Sequence, residues 1–319
     1  MPVKKVKGQF FEEMINYGDS AELFADLLTE SEVPFEIKSF DDFVQTIFAK
    51  TMPQYNFNTW HIRKIAYEID QILMKPRNRY LEVVLPRYHL KSTVVGYASS
   101  IYRMLTSYGD GMYISFKDEL CQYHLSNIKE IVRNSEELSK VMIDINPRSD
   151  ANIHYKIGSR RLRILGSGIF AVKRGIHTDS IVIGDDLMGD LQNQLVLTEI
   201  EKAKRIFNAE VMNIPNAECP LFVFGTVIDY TDLLYSLKDN PNFKSIWLPA
   251  LYPDADHEVL WEEKFSREIL EEKKITTGWK AFSTEFLLTP MMSLEAFITR
   301  DQLTGIIDKE LRNFVVPGF

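Results

Sequence analysis

The stretch LPRYHLKST, residues 85–93, joins a run typical of a buried strand to a run typical of a helix. Its lysine, Lys91, is followed by two hydroxyl residues. A strand, a short loop ending in lysine and serine, and then a helix form the arrangement of a phosphate-binding loop. The usual pattern, G-x-x-x-x-G-K-[ST], has glycines where this chain has Leu85 and Leu90. The loop is therefore either a phosphate site that has lost its glycines or an ordinary basic loop.

The flanking sequence favours the phosphate site. The run YLEVVL before the loop is apolar and β-branched, and the run STVVGYASSIYRML after it carries apolar residues on one helical face. Lys91 and Ser92 are therefore expected at a helix N-terminus, where unpaired N–H groups and the helix dipole attract phosphate. His89 has no catalytic partner nearby in the sequence. The candidate nucleotide-binding residues of the loop are Arg87, Tyr88, His89, Leu90, Lys91, Ser92 and Thr93.

Two adjacent acids follow another apolar run. SIVIGDDLMGD, residues 180–190, predicts a buried strand that ends at Asp185 and Asp186. Phosphoryl transfer on a phosphate loop needs a carboxylate on a neighbouring strand to hold Mg²⁺. We expect Asp185 to hold the metal together with Ser92, and Asp186 to orient and deprotonate the attacking water. An acidic pair after a strand is also compatible with a solvated turn or a helix cap.

A third strand end carries a glycine and a threonine. In FVFGTVIDYTDLL, residues 222–234, Gly225 and Thr226 come where a strand is expected to end. A residue at this place can touch the γ-phosphate or the attacking water. A plain strand-ending turn gives the same pattern.

From about residue 60, short apolar runs alternate with amphipathic helical stretches. This alternation, with strands apolar on both faces, predicts an α/β fold with a mainly parallel sheet flanked by helices. We predict a helical N-terminal segment (1–59), an α/β core (60–254) and a small C-terminal helical subdomain (255–319). The expected strands are at residues 80–85, 112–116, 161–166, 180–184, 221–227 and 244–251.

Composition limits the function classes. The 319 residues are 45% apolar and 26% charged, which suits a globular protein with a substantial core. No apolar run approaches the roughly 18 residues of a membrane helix, and the N-terminus lacks a signal-peptide pattern, so we expect a cytoplasmic protein. The net charge of -8 confines any DNA contact to one face. Cys121 and Cys219 have no disulfide or zinc spacing.

With its three motifs in order, the chain resembles the ATPase half of the large terminase subunit, the DNA-packaging motor of tailed bacteriophages. In that family the phosphate loop is often deviant and an arginine lies four residues before the lysine, as Arg87 lies before Lys91. The resemblance implies a P-loop NTPase fold of the additional-strand (ASCE) type with a C-terminal helical lid. It spans roughly residues 55–300 and is carried by MYISFKDELCQYHLSNIKEIV (112–132), GSGIFAVKRGIHTDSIVIGDDL (166–187), VFGTVIDYTDLL (223–234) and LWEEKFSREILEE (260–272).

The resemblance implies roles for the residues around the phosphates. Lys91 and Ser92 would bind the β/γ-phosphates and Mg²⁺. Arg87 would sense the γ-phosphate within its own subunit. Gly225 and Thr226 would form the coupling motif that links hydrolysis to movement.

Two further assignments follow from the resemblance. Trp60 and His61 fall on the adenine-side segment, although Trp60 in the core and His61 on the surface is an equal alternative. The family also takes an arginine finger from a neighbouring subunit. The candidates for the finger are Lys129, Arg133 and Arg174, each of which is otherwise a solvated charge.

The implied function is an ATP-hydrolysing motor that uses ATP and Mg²⁺ to translocate double-stranded DNA into the procapsid. Its implied partners are duplex DNA gripped without sequence readout, other copies of the chain in a ring, the portal protein and the small terminase subunit, in the cytoplasm of the infected bacterial host. The clusters expected to contact DNA, each alternatively a solvated face, are KVKGQ (5–9), MKPRNRY (74–80) and SRRLR (159–163).

Two departures from the family keep alternatives open. Leu90 replaces the glycine or alanine usual before the lysine, so we expect a tightened or distorted loop that binds nucleotide less well. Complete family members continue into a ribonuclease-H-like nuclease, but no series of Asp-bearing strands follows residue 260, so we expect the nuclease to be absent from this chain. The alternatives are a helicase-like or other P-loop ATPase and a non-catalytic scaffold with a degenerate nucleotide site.

Overall fold

The computed structural model describes residues 35–189, 197–252 and 259–290. Much of the predicted N-terminal segment, including FADLLTE, and part of the predicted C-terminal subdomain lie outside these ranges. An eight-stranded sheet forms the centre of the fold. Its strands are β1 (Tyr80–Val84), β2 (Gly111–Ser115), β3 (Ile143–Asp144), β4 (Asn152–Ile157), β5 (Arg160–Gly168), β6 (Val182–Asp185), β7 (Leu221–Gly225) and β8 (Phe243–Trp247).

The sheet has the strand order of the predicted class. Its order is β3-β4-β5-β2-β6-β7-β1-β8, and the pairs from β5 to β8 are all parallel. β7 lies between β1 and β6, so an additional strand separates the phosphate-loop strand from the acid-bearing strand. The α/β fold with a mainly parallel sheet is confirmed. β3 and β4, which were not predicted, extend one edge in antiparallel fashion.

Helices connect the strands and cover both faces of the sheet. Two of them continue through π-helical turns, at Val44–Phe48 and Ser92–Ala98. Across the described ranges, every helix is too short or too polar to cross a membrane. The helices are α1 (Phe40–Phe43), α2 (Ala49–Thr51), α3 (Trp60–Leu73), α4 (Ser99–Thr106), α5 (Asp118–Asn134), α6 (Glu136–Val141), α7 (Leu197–Ala209), α8 (Leu233–Lys238), α9 (Arg267–Thr277) and α10 (Trp279–Glu285).

Alternate residues of β1 enter two different apolar cores. Leu81 and Val83 join the core that contains Ile62 of α3, whereas Val84 joins the core that contains Phe207 of α7. Each fully buried side chain of this size contributes about 1.5–3 kcal/mol. Burial on both faces is why the strand sequence is a continuous apolar run and why the run could be recognised.

The C-terminal segment, by which we mean residues 259–290, has an apolar cluster of its own. Phe265 and Leu270 pack with Phe282 and Phe286 of this segment and with Ala250 of the core. Phe282 and Phe286 stack with ring centroids 5.3 Å apart. The two helices of this segment therefore have a small core next to the end of the central sheet.

Glu82 is a fully buried acid in the middle of β1. The indole N–H of Trp247 donates to Oε2 of Glu82 at 3.1 Å, and the hydroxyl of Ser245 donates to the same oxygen. Burial raises the pKa of Glu82 to about 7, from an ordinary 4.5, because the charged form loses its water. Two donors on one oxygen only partly offset that loss.

We predict that Glu82→Gln stabilises the fold in a pH-dependent way. A carboxyl whose pKa is higher in the folded state gives stability that is full below pH 4.5 and is lost as the pH rises through 7. The uncharged amide avoids this loss, so the variant should gain up to about 3 kcal/mol on the wild type between pH 5 and pH 8. Urea unfolding of both proteins at the two pH values measures the difference. A difference of the same size at pH 5 and pH 8 would contradict the prediction, and exposed Glu119→Gln serves as the control variant.

Candidate functional site

The lysine, the serine and the two acids lie together at one edge of the sheet. The Nζ atom of Lys91 lies 3.7 Å from Oδ2 of Asp186. The hydroxyl of Ser92 donates to Oδ1 of Asp185 at 3.2 Å. Lys91 and Ser92 begin the helix that follows β1, while the acids end β6, and parallel strands bring these ends to the same edge. The pattern in the sequence therefore corresponds to one site in space.

The phosphate loop keeps a glycine-like backbone without its glycines. Tyr88 and Leu90 have φ angles of 65° and 61°, in the left-handed region. Such a conformation costs a residue with a side chain about 1–2 kcal/mol. Leu90 is only 8% exposed and packs in the main core, which offsets part of this cost. The leucine at the glycine position thus leaves the loop in a left-handed conformation that glycine adopts freely.

The helix after the loop presents unpaired donors at its start. The N–H of Val94 donates to the carbonyl of Leu90 at 2.9 Å. Within the described residues, no oxygen accepts from the N–H groups of Lys91, Ser92 or Thr93. These groups are the positive end of the helix dipole, with an ammonium beside them. The loop is therefore suited to bind phosphate oxygens through its backbone.

Asp185 and Ser92 fit a magnesium site. Asp185 is fully buried, and burial together with neighbouring Asp186 raises the pKa of its carboxyl. A bound cation would favour the charged form in that position. No group of three or more His, Cys, Asp or Glu side chains forms a closed metal cage in the part of the chain that the structure describes. Mg²⁺ needs no such cage, because it keeps several waters and takes one or two carboxylates plus phosphate oxygens.

Asp186 is held by the predicted coupling motif. Its φ angle is 45°, and its carboxylate is 40% exposed. The N–H of Thr226 donates to Oδ1 of Asp186 at 3.1 Å, and a Cβ on Gly225 would lie 2.8 Å from the same oxygen. The hydroxyl of Thr226 donates to the carbonyl of Leu85 at 3.0 Å. Thr226 therefore links the base candidate to the stem of the phosphate loop, and Gly225 leaves room for the carboxylate.

The C-terminal segment contacts the phosphate loop. The Nε atom of Arg87 lies 3.4 Å from Oε1 of Glu285, and the N–H of Arg87 donates to the Glu285 carbonyl at 3.3 Å. The ammonium of Lys264 donates to the carbonyl of Tyr88 at 3.1 Å. Arg87, expected to sense the γ-phosphate, is thus a residue of the phosphate loop that contacts this segment.

The loop histidine points into the protein. His89 is fully buried and stacks on Phe265 with ring centroids 4.8 Å apart. His61 is also fully buried, 5.3 Å from the ring of Trp261, so the alternative that placed His61 on the surface is wrong. Burial lowers the pKa of His61 to about 3 and that of His89 to about 4, so both rings are neutral. Half-buried Trp60 pairs with Tyr252, with centroids 6.2 Å apart.

The three candidates for a trans finger differ in accessibility. Lys129 is 6% exposed and donates to the carbonyls of Asn146 and Ser149 at 3.1 and 2.7 Å, so its ammonium is bound internally rather than solvated. Arg174 is exposed and pairs with Glu210 at 2.7 Å. Arg133 is exposed. A residue that reaches a neighbouring subunit must be accessible, which favours the two arginines over Lys129.

Two residues that the sequence did not single out contact Asp185. The hydroxyl of Tyr113 donates to Oδ2 of Asp185 at 2.6 Å, and Nε2 of His124 lies 3.4 Å from that oxygen. Burial lowers the pKa of His124 to about 4, which keeps the ring neutral. A signal existed for Tyr113, because a tyrosine inside a strand buried on both faces needs a partner for its hydroxyl.

Comparisons with known proteins support the fold. No family model and no curated protein sequence matches the chain. The crystal structure of the HK97 bacteriophage large terminase aligns with a TM-score of 0.51 at 12% identity, over 75% of this chain and 52% of that one. The large terminase ATPase domain of Thermus phage P74-26 gives 0.48 at 14% identity, over 70% and 92%. The large terminase of a thermophilic bacteriophage in complex with ATP-gamma-S gives 0.44 at 11% identity, over 69% and 51%.

Of these three alignments, the one with the HK97 large terminase bears on the fold, because its TM-score exceeds 0.5. The aligned part of this chain spans about half the length of that protein. The similarity therefore supports the α/β fold with a mainly parallel sheet, and activity and partners have to be argued from the site.

We predict that Tyr88→Gly is more stable than Tyr88→Ala by about 1 kcal/mol, because glycine adopts a positive φ without strain. Tyr67 provides a matched control, since it is 59% exposed where Tyr88 is 64% exposed, but it lies inside α3. There the order should reverse, with Tyr67→Gly less stable than Tyr67→Ala by about 1 kcal/mol. Urea unfolding measures all four. The same order at both positions would contradict the left-handed conformation of the loop.

Proposed function

We propose that this chain is the ATPase part of a DNA-packaging motor of the large terminase type, which hydrolyses ATP to translocate duplex DNA into a procapsid. The observation that carries the proposal is the meeting of Lys91 and Ser92, at a helix N-terminus with unpaired N–H groups, with Asp185 and Asp186. An ordinary basic loop would not face two carboxylates from a strand two places away in the sheet. The fold similarity to a phage large terminase supports the same reading.

The residues of the site divide the chemistry among them. The N–H groups at the start of the helix and the ammonium of Lys91 would hold the phosphates. Ser92 and Asp185 would hold Mg²⁺, which neutralises charge on the phosphate oxygens when it is bound. Asp186 is partly exposed and anchored by Thr226, so it would accept a proton from an attacking water.

The contacts of Arg87 suit a sensor. Its guanidinium is near Glu285 of the C-terminal segment, and a γ-phosphate at the loop would compete for the same donors. Charge-assisted hydrogen bonds of this kind contribute about 1.5–3 kcal/mol each. Arg87 would therefore report the presence of the γ-phosphate by changing its bond to the C-terminal segment.

DNA would be gripped through the phosphate backbone without sequence readout. Of the basic clusters, residues 5–9 lie outside the described ranges. The clusters at residues 74–80 and 159–163 precede or begin parallel strands, so they lie at the edge of the sheet opposite the nucleotide site. For residues 74–80 the separation is roughly 17 Å, the length of the five-residue strand β1. In these two clusters, the arginine side chains that bond to other residues of the protein are Arg79, Arg160 and Arg163. Within residues 35–189, 197–252 and 259–290, no such bond is formed by the exposed cations Lys75, Arg77 and Arg161.

The remaining partners belong to the same proposal. A motor of this type works as a ring of identical chains in the cytoplasm of an infected bacterium, with a portal protein and a small terminase subunit. An accessible Arg133 or Arg174 would supply the charge that a neighbouring subunit needs in its transition state.

We predict that ATP turnover, stimulated by DNA or by assembly, depends on Lys91 and Asp186 in different ways. Lys91→Ala should lose both ATP affinity and turnover, because the phosphates lose a cation. Asp186→Asn should keep ATP affinity within about twofold but lose about 10²–10⁴ in turnover, because the base is removed. Fluorescent-nucleotide binding and phosphate release measure the two effects, with exposed Lys140→Ala as the matched control.

The same experiment separates the alternatives. A non-catalytic scaffold would show no turnover in the wild type with DNA or in any assembly. A helicase would separate the strands of a duplex while hydrolysing ATP. Sustained strand separation would therefore overturn the packaging function, and absent turnover would overturn the enzymatic one.

We predict that Arg87→Ala distinguishes nucleotides by their γ-phosphate. Its affinity for ATP-gamma-S should fall at least about tenfold while its affinity for ADP changes less than about twofold, because the lost bond is to the terminal phosphate. Calorimetric titration of both nucleotides measures this. The control is exposed Arg77→Ala, at the opposite edge of the sheet. An equal loss for both nucleotides would show that Arg87 supports the loop instead of sensing.

A further inference from the structure

The two oxygens of the Asp185 carboxylate have different partners. Oδ1 accepts the hydroxyl of Ser92 and faces the proposed metal side. Oδ2 accepts the hydroxyl of Tyr113 at 2.6 Å and lies 3.4 Å from Nε2 of His124. Tyr113 and His124 therefore occupy Oδ2, and Oδ1 is the oxygen that faces the proposed metal side.

A chain of hydrogen bonds continues behind His124. The hydroxyl of Tyr97 lies 2.8 Å from Nδ1 of His124, and the side-chain amide of Asn127 donates to the Tyr97 oxygen at 3.1 Å. Tyr97 belongs to the π-helical turn after the phosphate loop, and the other two residues lie one turn apart on α5. The chain thus connects the helix of the phosphate loop and α5 to the acid at the end of β6.

The donors and acceptors in these hydrogen bonds favour one position for the proton of the imidazole. A tyrosine oxygen that accepts from Asn127 has its own proton to donate, and Nδ1 of His124 is the acceptor in contact with it. A neutral imidazole that accepts at Nδ1 carries its proton on Nε2. Nε2 is the nitrogen that faces Oδ2 of Asp185. The Asn127 amide therefore favours the tautomer whose N–H faces the carboxylate.

Packing fixes the position of Tyr113, whose hydroxyl donates to Oδ2 of Asp185. The rings of Tyr113 and His124 stack with centroids 5.5 Å apart. A Cβ on Gly96 would lie 2.7 Å from the Tyr113 hydroxyl oxygen, so only glycine lets the hydroxyl pass beneath the helix. The hydroxyl that donates to Oδ2 and the imidazole that lies beside the same oxygen are thus positioned by neighbours that are not themselves part of the site.

We infer that Asn127, Tyr97 and His124, together with Tyr113, form a positioning network that occupies Oδ2 of Asp185 and reserves Oδ1 for Mg²⁺. The inference rests on the proposed function, because it assigns the metal to the same carboxylate. Outer partners of a metal ligand of this kind typically change metal affinity 10- to 100-fold. With the opposite tautomer, the lone pair of Nε2 would face the carboxylate and repel it.

The first test removes one hydroxyl. Tyr97→Phe should raise the Mg²⁺ concentration needed for half-maximal turnover at least fivefold, and should leave the affinity for a fluorescent ATP analogue in EDTA unchanged. The matched control is Tyr123→Phe, a neighbour of His124 on α5 that is 62% exposed. Tyr113→Phe should act in the same direction as Tyr97→Phe, and it serves as the second variant if the first does not fold.

The second test reverses the direction of the hydrogen bonds from Asn127 through Tyr97 to His124. Asn127→Asp puts a carboxylate where the amide was, so the Tyr97 proton should turn toward it and the Tyr97 oxygen should accept from Nδ1 of His124. Nitrogen-15 NMR of histidine-labelled protein, assigned among the six histidines with a His124→Gln variant, reads the tautomer directly. We expect the proton on Nε2 in the wild type and on Nδ1 in Asn127→Asp, with a Mg²⁺ requirement raised at least tenfold.

The outcomes separate this inference from the proposed function. A wild-type protein that binds no ATP analogue in the presence of Mg²⁺ would overturn both. A wild-type protein that binds and hydrolyses ATP, with Tyr97→Phe and Tyr113→Phe equal to Tyr123→Phe, would overturn the network alone. So would a wild-type His124 with its proton on Nδ1.

Discussion

The parallel pairing of β7 between β1 and β6 is the constraint on which the site depends. It aligns Val84 with Gly225 and Asp185 with Phe224, so three strands end in one row. The phosphate loop, the two acids and the coupling motif lie at or directly after the ends of these three strands. A slip of one residue in either pairing would turn the side chains of a strand to the opposite face. Asp185 would then lose its contact with Ser92, and the phosphate loop would no longer face the acids.

The strained backbone of the molecule is concentrated where that row ends. Tyr88, Leu90 and Asp186 all have positive φ angles. The surrounding structure holds them there: Leu90 by burial, and Asp186 by donating its N–H to the carbonyl of Phe224 at 3.0 Å. Strain of this kind persists only where neighbours over-determine the conformation, and it clusters at functional sites. Leu90, at a position where the usual pattern has glycine, therefore adds a backbone cost to the folded state.

The central strands and the site motifs could be predicted because their signals are local. Strands buried on both faces are continuous apolar runs, and the acids and the lysine directly follow or precede such runs. β4 escaped because NIHYKI, residues 152–157, alternates polar and apolar residues at an antiparallel edge, a weaker signal. The contact of His124 with Asp185 and the burial of His89 could not be predicted, because they depend on how helices and the C-terminal segment pack onto the sheet. Such packing leaves no pattern in the neighbouring sequence.

The phosphate loop has contacts in two directions, and this bears on how a motor could use it. On one side, Thr226 joins the loop to Asp186, because its hydroxyl donates to the carbonyl of Leu85 and its N–H donates to Oδ1 of Asp186. On the other, Arg87 and Tyr88 are bound by Glu285 and Lys264 of the C-terminal segment. Each such bond is worth about 0.5–3 kcal/mol, the same range as the 1–3 kcal/mol of a typical coupling free energy between sites. The loss of one of these bonds would therefore change the free energy of contact between the phosphate loop and the C-terminal segment by an amount typical of coupling between two sites.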